Sequence, residues 1–123
     1  MSMFSPAELA YLGEGSKLGR LATLDPDGTP NVVPLGWNYN PEHDTIDIGG
    51  RDFASTRKFR NVLANPAVGF VVDDVAPPWR PRAVQIRGTA EALSSATGPD
   101  GRPREAILRI TPTRVVSWGI TED

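Results

Sequence analysis

Within residues 45–61, TIDIGGRDFASTRKFRN, four cations crowd a single turn: Arg51, Arg57, Lys58 and Arg60. The chain as a whole carries a formal charge of −2, so the cluster is local. A short alternating strand over Thr45–Ile48 leads into Gly49-Gly50, and the residue types predict a helix beginning near Ser55. Basic side chains at a helix start oppose the macrodipole, which favours negative charge there. A bound anion resolves that conflict, because free backbone N–H groups and cationic side chains converge on it. Two readings are open from these residues: a phosphate site for a nucleotide-like cofactor, or a solvated basic face paired with Asp52 or Asp47.

Other chemistry finds little support. There are no cysteines and one histidine, His43 in a turn sequence, which excludes thiolate sites, cysteine nucleophiles and histidine-rich metal clusters. No GxSxG elbow is present, and Gly13-Glu14-Gly15 lacks the preceding strand and third glycine of a dinucleotide fingerprint. Asp73 and Asp74 are adjacent, so on a strand they face opposite ways and form no shared-proton dyad; they read as a strand end entering a turn. What remains is a site where a cofactor does the chemistry and the protein supplies position and electrostatics. Pro34, within Val33-Pro34-Leu35-Gly36, removes a ladder donor, and Gly36 permits close approach of a planar ring; an edge strand protected by proline is the alternative. Trp37, Trp79 and Trp118 suit stacking or a subunit interface, although each taken singly is expected in the core. Trp79-Arg80-Pro81-Arg82 sets two guanidiniums beside an indole, suiting an anionic aromatic ligand or a cation–π surface pair.

The elements that would position these groups follow from turn and cap signals. Ser5-Pro6 starts a short helix over Ala7–Leu12, closed by Gly13. Leu18–Leu24 and Pro30–Trp37 form a hairpin about Asp25-Pro26-Asp27-Gly28, and residues 40–44 turn the chain into the strand ending at Gly49, giving an antiparallel meander. The main helix spans Ser55–Asn65 with Phe59, Val62 and Leu63 on one side. Val68–Val72 reads as a strand buried on both faces, Ala76–Pro81 as a stiff loop and Arg82–Leu93 as a strand. Ser94–Arg104 is the most mobile segment by composition, and Ala106–Ile110 and Arg114–Trp118 are strands interrupted by Thr111-Pro112. At 123 residues the chain is one domain, 1–123, mainly β (α+β): about seven antiparallel strands in a β-barrel with one main helix and a short N-terminal helix. A sequence pI near 5.4 argues against nucleic acid or acidic membranes as partners. No stretch has the apolar length of a membrane span and no signal pattern opens the chain, so a cytoplasmic location is expected.

Taken in order, GRLATLDPDGTPNVVPLGW, TIDIGG, STRKFRNVLANPAVGFVVDD and PPWRPRAVQIRGTAEAL resemble the split β-barrel, FMN-binding-like family of pyridoxamine 5′-phosphate oxidase-like flavin and deazaflavin proteins. The resemblance spans Leu18–Leu93 and resumes over 107–119. It is nearest to the branch using the deazaflavin coenzyme F420, and RDFASTRKFRN with PPWRPRAV resembles its dehydrotetracycline reductase group. The resemblance implies a homodimer with cofactor sites at the subunit interface. Thr56, Arg57 and Lys58 match the positions that hold the cofactor phosphate. Val33, Pro34, Leu35 and Gly36 match the segment along the ring, and Gly49, Gly50 and Arg51 the strand end beside the ribityl chain. Trp79 and Arg82, with Trp118, would reach the site from one or other subunit. The family's pyridoxamine phosphate oxidases end in a basic, histidine-containing tail, whereas this sequence ends Thr121-Glu122-Asp123, so that oxidation is not the expected activity. The expected function is hydride transfer from reduced F420 to an electron-poor small organic substrate, an enone or activated alkene, with no proton donor identified. FMN in the same fold, or cofactor binding without turnover, are the alternatives.

Overall fold

Ser5 and Glu8 cap the first helix reciprocally in the computed structural model, which describes residues 1–50, 52–94, 96–97, 101, 103–104 and 106–120. In α1 (Pro6–Leu12), Ser5 Oγ accepts from the Glu8 amide at 3.1 Å and Glu8 Oε1 accepts from the Ser5 amide at 2.8 Å. Two otherwise unpaired donors of the first turn are thereby satisfied. The second Glu8 oxygen accepts from Ser117 Oγ, which ties the helix to the last strand.

The strands are β1 (Gly19–Leu24), β2 (Pro30–Leu35), β3 (Asn38–Asn40), β4 (Thr45–Gly49), β5 (Ala67–Ala76), β6 (Arg80–Leu93), β7 (Ala96–Thr97), β8 (Pro103–Arg104) and β9 (Ile107–Trp118), with α2 (Arg57–Ala64) between β4 and β5. Seven of them form one antiparallel sheet in the order β2-β1-β5-β6-β9-β4-β3. The hairpin β1–β2 turns as expected, the Gly28 amide donating to the Asp25 carbonyl at 2.8 Å with Gly28 at φ 87°. The expected meander is not formed. β2 and β3 lie at opposite ends of the strand order, because the chain leaves one edge at Gly36-Trp37 and joins the other. Trp37 fixes that crossing: its Nε1 donates to the Lys17 carbonyl at 2.9 Å and its ring meets Phe70 edge-on at 6.1 Å. Three Cα steps from Leu35 to Asn38 span at most about 11 Å. The two edges are therefore held together at one end, and the sheet curls into a barrel split between β2 and β3.

Inside sit Leu21, Ile46, Ile48, Phe70, Val72, Val84, Ile86, Leu108 and Ile110, all fully buried. β5 buries one face only: Val68, Phe70 and Val72 point inward, while Gly69 and Val71 are half-buried on the outside. The apolar run Val68–Val72 misleads because its alternate positions are a glycine and a valine outside the barrel. Asp73 and Asp74 lie within β5 and face opposite sides, Asp73 pairing with Arg20 at 2.7 Å.

The stiff loop shortens to the turn at Pro77–Trp79, since Arg80 and Pro81 pair with Ala76 and Val75. β9 is one strand rather than two. A bulge absorbs Pro112, which has no amide to give: Arg87 pairs with Arg114 and Gly88 with Pro112, leaving Thr113 as the extra residue. Gly88 approaches Thr111 so closely that a Cβ there would collide with the Thr111 carbonyl oxygen. Within the segment expected to be mobile, β7 and β8 pair as a separate small hairpin; residues 95, 98–100 and 102 lie outside the described residues. On α2, Phe59 and Val62 are buried as expected, but Leu63 is exposed and Asn61 is buried in its stead. No described helix is long and apolar enough to cross a membrane.

Candidate functional site

The turn between β4 and α2 is built on an aromatic pair. Phe53, in the 3-10 turn Phe53–Ser55, is buried and packs edge-on against Phe59 of α2 at 5.9 Å. Above it, Thr56 is the N-cap: its Oγ1 donates to the Phe53 carbonyl at 2.7 Å and accepts from the Phe59 amide at 3.4 Å. The helix thus starts at Arg57, two residues after Ser55, whose Oγ donates to the Asp52 carbonyl at 2.7 Å. Gly49 ends β4 opposite Ile107, and a Cβ at Gly50 would rest 3.5 Å from the Phe53 ring.

Arg57 and Arg60 are exposed, and Lys58 is half-buried with its Nζ 5.3 Å from the Phe53 ring centroid. Among the described residues none of these three cations forms an ion pair, and the Arg57 and Lys58 amides have no hydrogen-bond partner. Asp47, one expected partner of a solvated basic face, is committed elsewhere. Its two oxygens accept from Arg109 at 3.2 Å each, and also from Thr45 and Asn40. Arg51 lies outside the described residues. Among the described residues the start of α2 therefore offers two free amides and three cations outside any ion pair on a braced turn, an arrangement suited to a phosphoryl group.

One residue of this region, although it falls within the STRKFRNVLANP segment, is not among the expected site residues. Asn61, 4% exposed, donates from Nδ2 to Thr23 Oγ1 and to Asp25 Oδ1, both at 3.1 Å. Hydrogen bonds from Asn31 and Asn61, and after them the charge of Arg57, hold the Asp25 carboxyl below the usual carboxylate value.

Val33 to Gly36 lie on and just after the edge strand β2, which among the described residues pairs only with β1: Val33 with Leu21, Pro34 with Arg20 and Leu35 with Gly19. Val33, Pro34 and Gly36 are exposed, and nothing stands within 4 Å of a Cβ built at Gly36. Among the described residues nothing crowds this glycine, so its open surface is available to a group from outside.

Of the tryptophans, only Trp37 packs against the core; Trp79 and Trp118 are 75% and 48% exposed. Arg82 is engaged within the protomer. Its Nε and Nη2 donate to Asp74 at 3.0 and 2.6 Å, Nη2 reaches Glu14 at 3.3 Å, and the guanidinium lies 4.9 Å over the Tyr11 ring. Tyr11 donates its hydroxyl to Asp74 at 2.9 Å, and Lys17 stands on the same ring at 4.7 Å. Desolvation and the Asp74 carboxylate push the Tyr11 hydroxyl pKa up. Asp74 is five residues along β5 from Gly69, the partner of Ala22, hence about 17 Å from the end of β1 that carries Thr23. Within one protomer the fold brings together Gly49, Gly50, Thr56, Arg57 and Lys58, and holds Arg82 at the other end of the sheet.

Comparison with known proteins bears on this geometry. Residues 5–119 match the family model for pyridoxamine 5′-phosphate oxidase. The chain is 45% identical over 124 residues to a 5a,11a-dehydrotetracycline/5a,11a-dehydrooxytetracycline reductase of Streptomyces rimosus, covering 98% of this chain and 86% of that protein. A solved structure of an F420 reductase aligns with a TM-score of 0.65 and 27% identity over 86% of this chain and 94% of that one. A conserved hypothetical protein of Mycobacterium tuberculosis aligns with a TM-score of 0.72 over 94% of this chain and 84% of that one; at 23% identity the likeness shows the fold alone.

Proposed function

Because this chain belongs to the pyridoxamine 5′-phosphate oxidase family, we propose that it is an F420-dependent oxidoreductase acting on an electron-poor small organic substrate. The observation that carries the reading is the start of α2, where Arg57, Lys58 and two free amides await an anion. The 45% identity to a 5a,11a-dehydrotetracycline/5a,11a-dehydrooxytetracycline reductase supports reduction of an enone or activated alkene. The likeness to an F420 reductase favours the deazaflavin over FMN. When bound, reduced F420 would supply a hydride, and water or a side chain of the site would supply the proton that completes the product.

The chain's own part is to bind and orient. Arg57 and Lys58 hold the phosphoryl end, and Gly49-Gly50 leave room beside the turn. The strand Val33–Gly36 presents an open face to the ring, and Trp79 of one or other protomer reaches the site in a homodimer.

Titration of purified protein with F420 and FMN side by side tests this, followed by an enone screen with whichever binds. Each charge-assisted contact contributes about 1.5–3 kcal/mol, so the Arg57→Ala/Lys58→Ala variant should lose F420 affinity by tens-fold or more. Unchanged affinity would reject the phosphate anchor, and tighter binding of FMN with no turnover of reduced F420 would replace the cofactor.

A further inference from the structure

Lys58 stands where a cation is least welcome, at the second position of α2, where the macrodipole favours negative charge. The fold does not leave its side chain loose there. Its ammonium is turned back over the ring of Phe53, 5.3 Å from the centroid and within the range of a cation–π contact. That ring is itself fixed. Phe53 is 3% exposed and meets Phe59 edge-on at 5.9 Å, and a Cβ at Gly50 would stand 3.5 Å from its Cδ1. Its carbonyl accepts from the Thr56 amide at 3.1 Å and from the Thr56 hydroxyl at 2.7 Å, and Thr56 caps α2. One aromatic residue thus adjoins the strand end at Gly50, the cap at Thr56 and the cation at Lys58.

We propose that Phe53 is a positioning residue for the anion site: its ring holds the Lys58 ammonium at the start of α2 before any ligand arrives. An ammonium has three donors, and a ring face takes up only one side of it, so hydrogens remain for a phosphoryl oxygen. Lysine is among the side chains that lose most freedom on being fixed, and here that loss falls in folding rather than in binding. The inference rests on the phosphate reading above and adds to it a residue that touches no ligand. The rival role is shielding, in which the lysine stem merely covers Phe53 from water.

A cycle of variants separates the two roles. Phe53→Leu keeps an apolar side chain and removes the ring. Positioning predicts about threefold to tenfold weaker binding of F420 by Phe53→Leu, with binding of the phosphate-free deazaflavin chromophore unchanged. In a Lys58→Met background the same change should leave F420 affinity where it was, because no cation remains to be held. Equal loss with and without Lys58, or equal loss for both ligands, would mark Phe53 as merely structural and overturn the proposal. Tighter F420 binding by Phe53→Leu would overturn it too, since the ring would then be drawing the ammonium away from the anion. Should Phe53→Leu melt below the assay temperature, incorporation of pentafluorophenylalanine in place of Phe53 decides. It nearly keeps the shape and reverses the charge distribution of the ring, so it should show the same selective loss, and unchanged affinity would refute the role. Wild-type protein that binds F420 no better than the phosphate-free chromophore would remove the phosphate reading itself, and the positioning role with it.

Discussion

Asp74 gathers hydrogen bonds from Arg82 and Tyr11 and lies 4.0 Å from Lys17. The Arg82 bonds hold its carboxyl below the ordinary value, with Tyr11 and Lys17 acting in the same direction against desolvation. A carboxylate depressed in the folded state stabilises the fold above its unfolded value, near pH 4, and that contribution is lost as pH falls through the folded value. Glu14 and Asp44 titrate in the same direction. Asp74→Asn should therefore cost about 1 kcal/mol at pH 7, a figure reduced for solvent screening, and progressively less below pH 4. Thermal melts of both proteins at pH 7 and pH 3 check it; a constant difference across that range would show that the ion pair is not the source. Arg57 and Lys58 were legible as single residues because charge type and helix position are local. The bond between Asn61 and Asp25 was not, since it joins residues 36 positions apart in the chain. The Arg82–Asp74 pair lies between these cases: it follows once the Pro77–Trp79 turn is recognised, because that turn sets Asp74 directly opposite Arg82.

Both helices announced themselves through caps and prolines, Ser5-Pro6 at one start and Asn65-Pro66 at one end. The long pair β6–β9 did not. Thr111-Pro112 looks like a break, and only the partner strand shows why it is a bulge: Gly88 has no side chain to obstruct Thr111. Gly88→Ala should accordingly destabilise the fold by about 2–4 kcal/mol through overpacking of backbone against backbone. A denaturant midpoint lowered at unchanged slope would confirm it. An unaltered midpoint would mean that the bulge relaxes freely. Spacing gives the buried face of α2 as Phe59, Val62 and Leu63; in the structure Asn61, bonded to Thr23, is buried and Leu63 is exposed.

Strand order is a property of the whole molecule, and the sequence does not display it. The local turn gives β1–β2 correctly, but the turn at residues 40–44 joins β4 to the separate short strand β3 rather than to β2, and nothing in residues 30–49 shows that the two hairpins flank β5, β6 and β9 from opposite sides. The same scale governs association. Val32, Val75, Trp79 and Trp118 are 64%, 47%, 75% and 48% exposed, apolar surface that a second chain could cover. We expect a particle of two chains, each of 13.3 kDa, in sedimentation, and Val32→Lys to shift it toward single chains and weaken F420 binding together. A wild-type particle of one chain at micromolar concentration would contradict the shared site. The link at Gly36-Trp37 carries one more consequence. The width of the seam is set by a two-residue tether rather than by a ladder of hydrogen bonds. Residues inserted there would slacken the seam like a loosened drawstring: the outermost hairpins would fray into solvent, while the central strands, gripped on both sides, kept their shape.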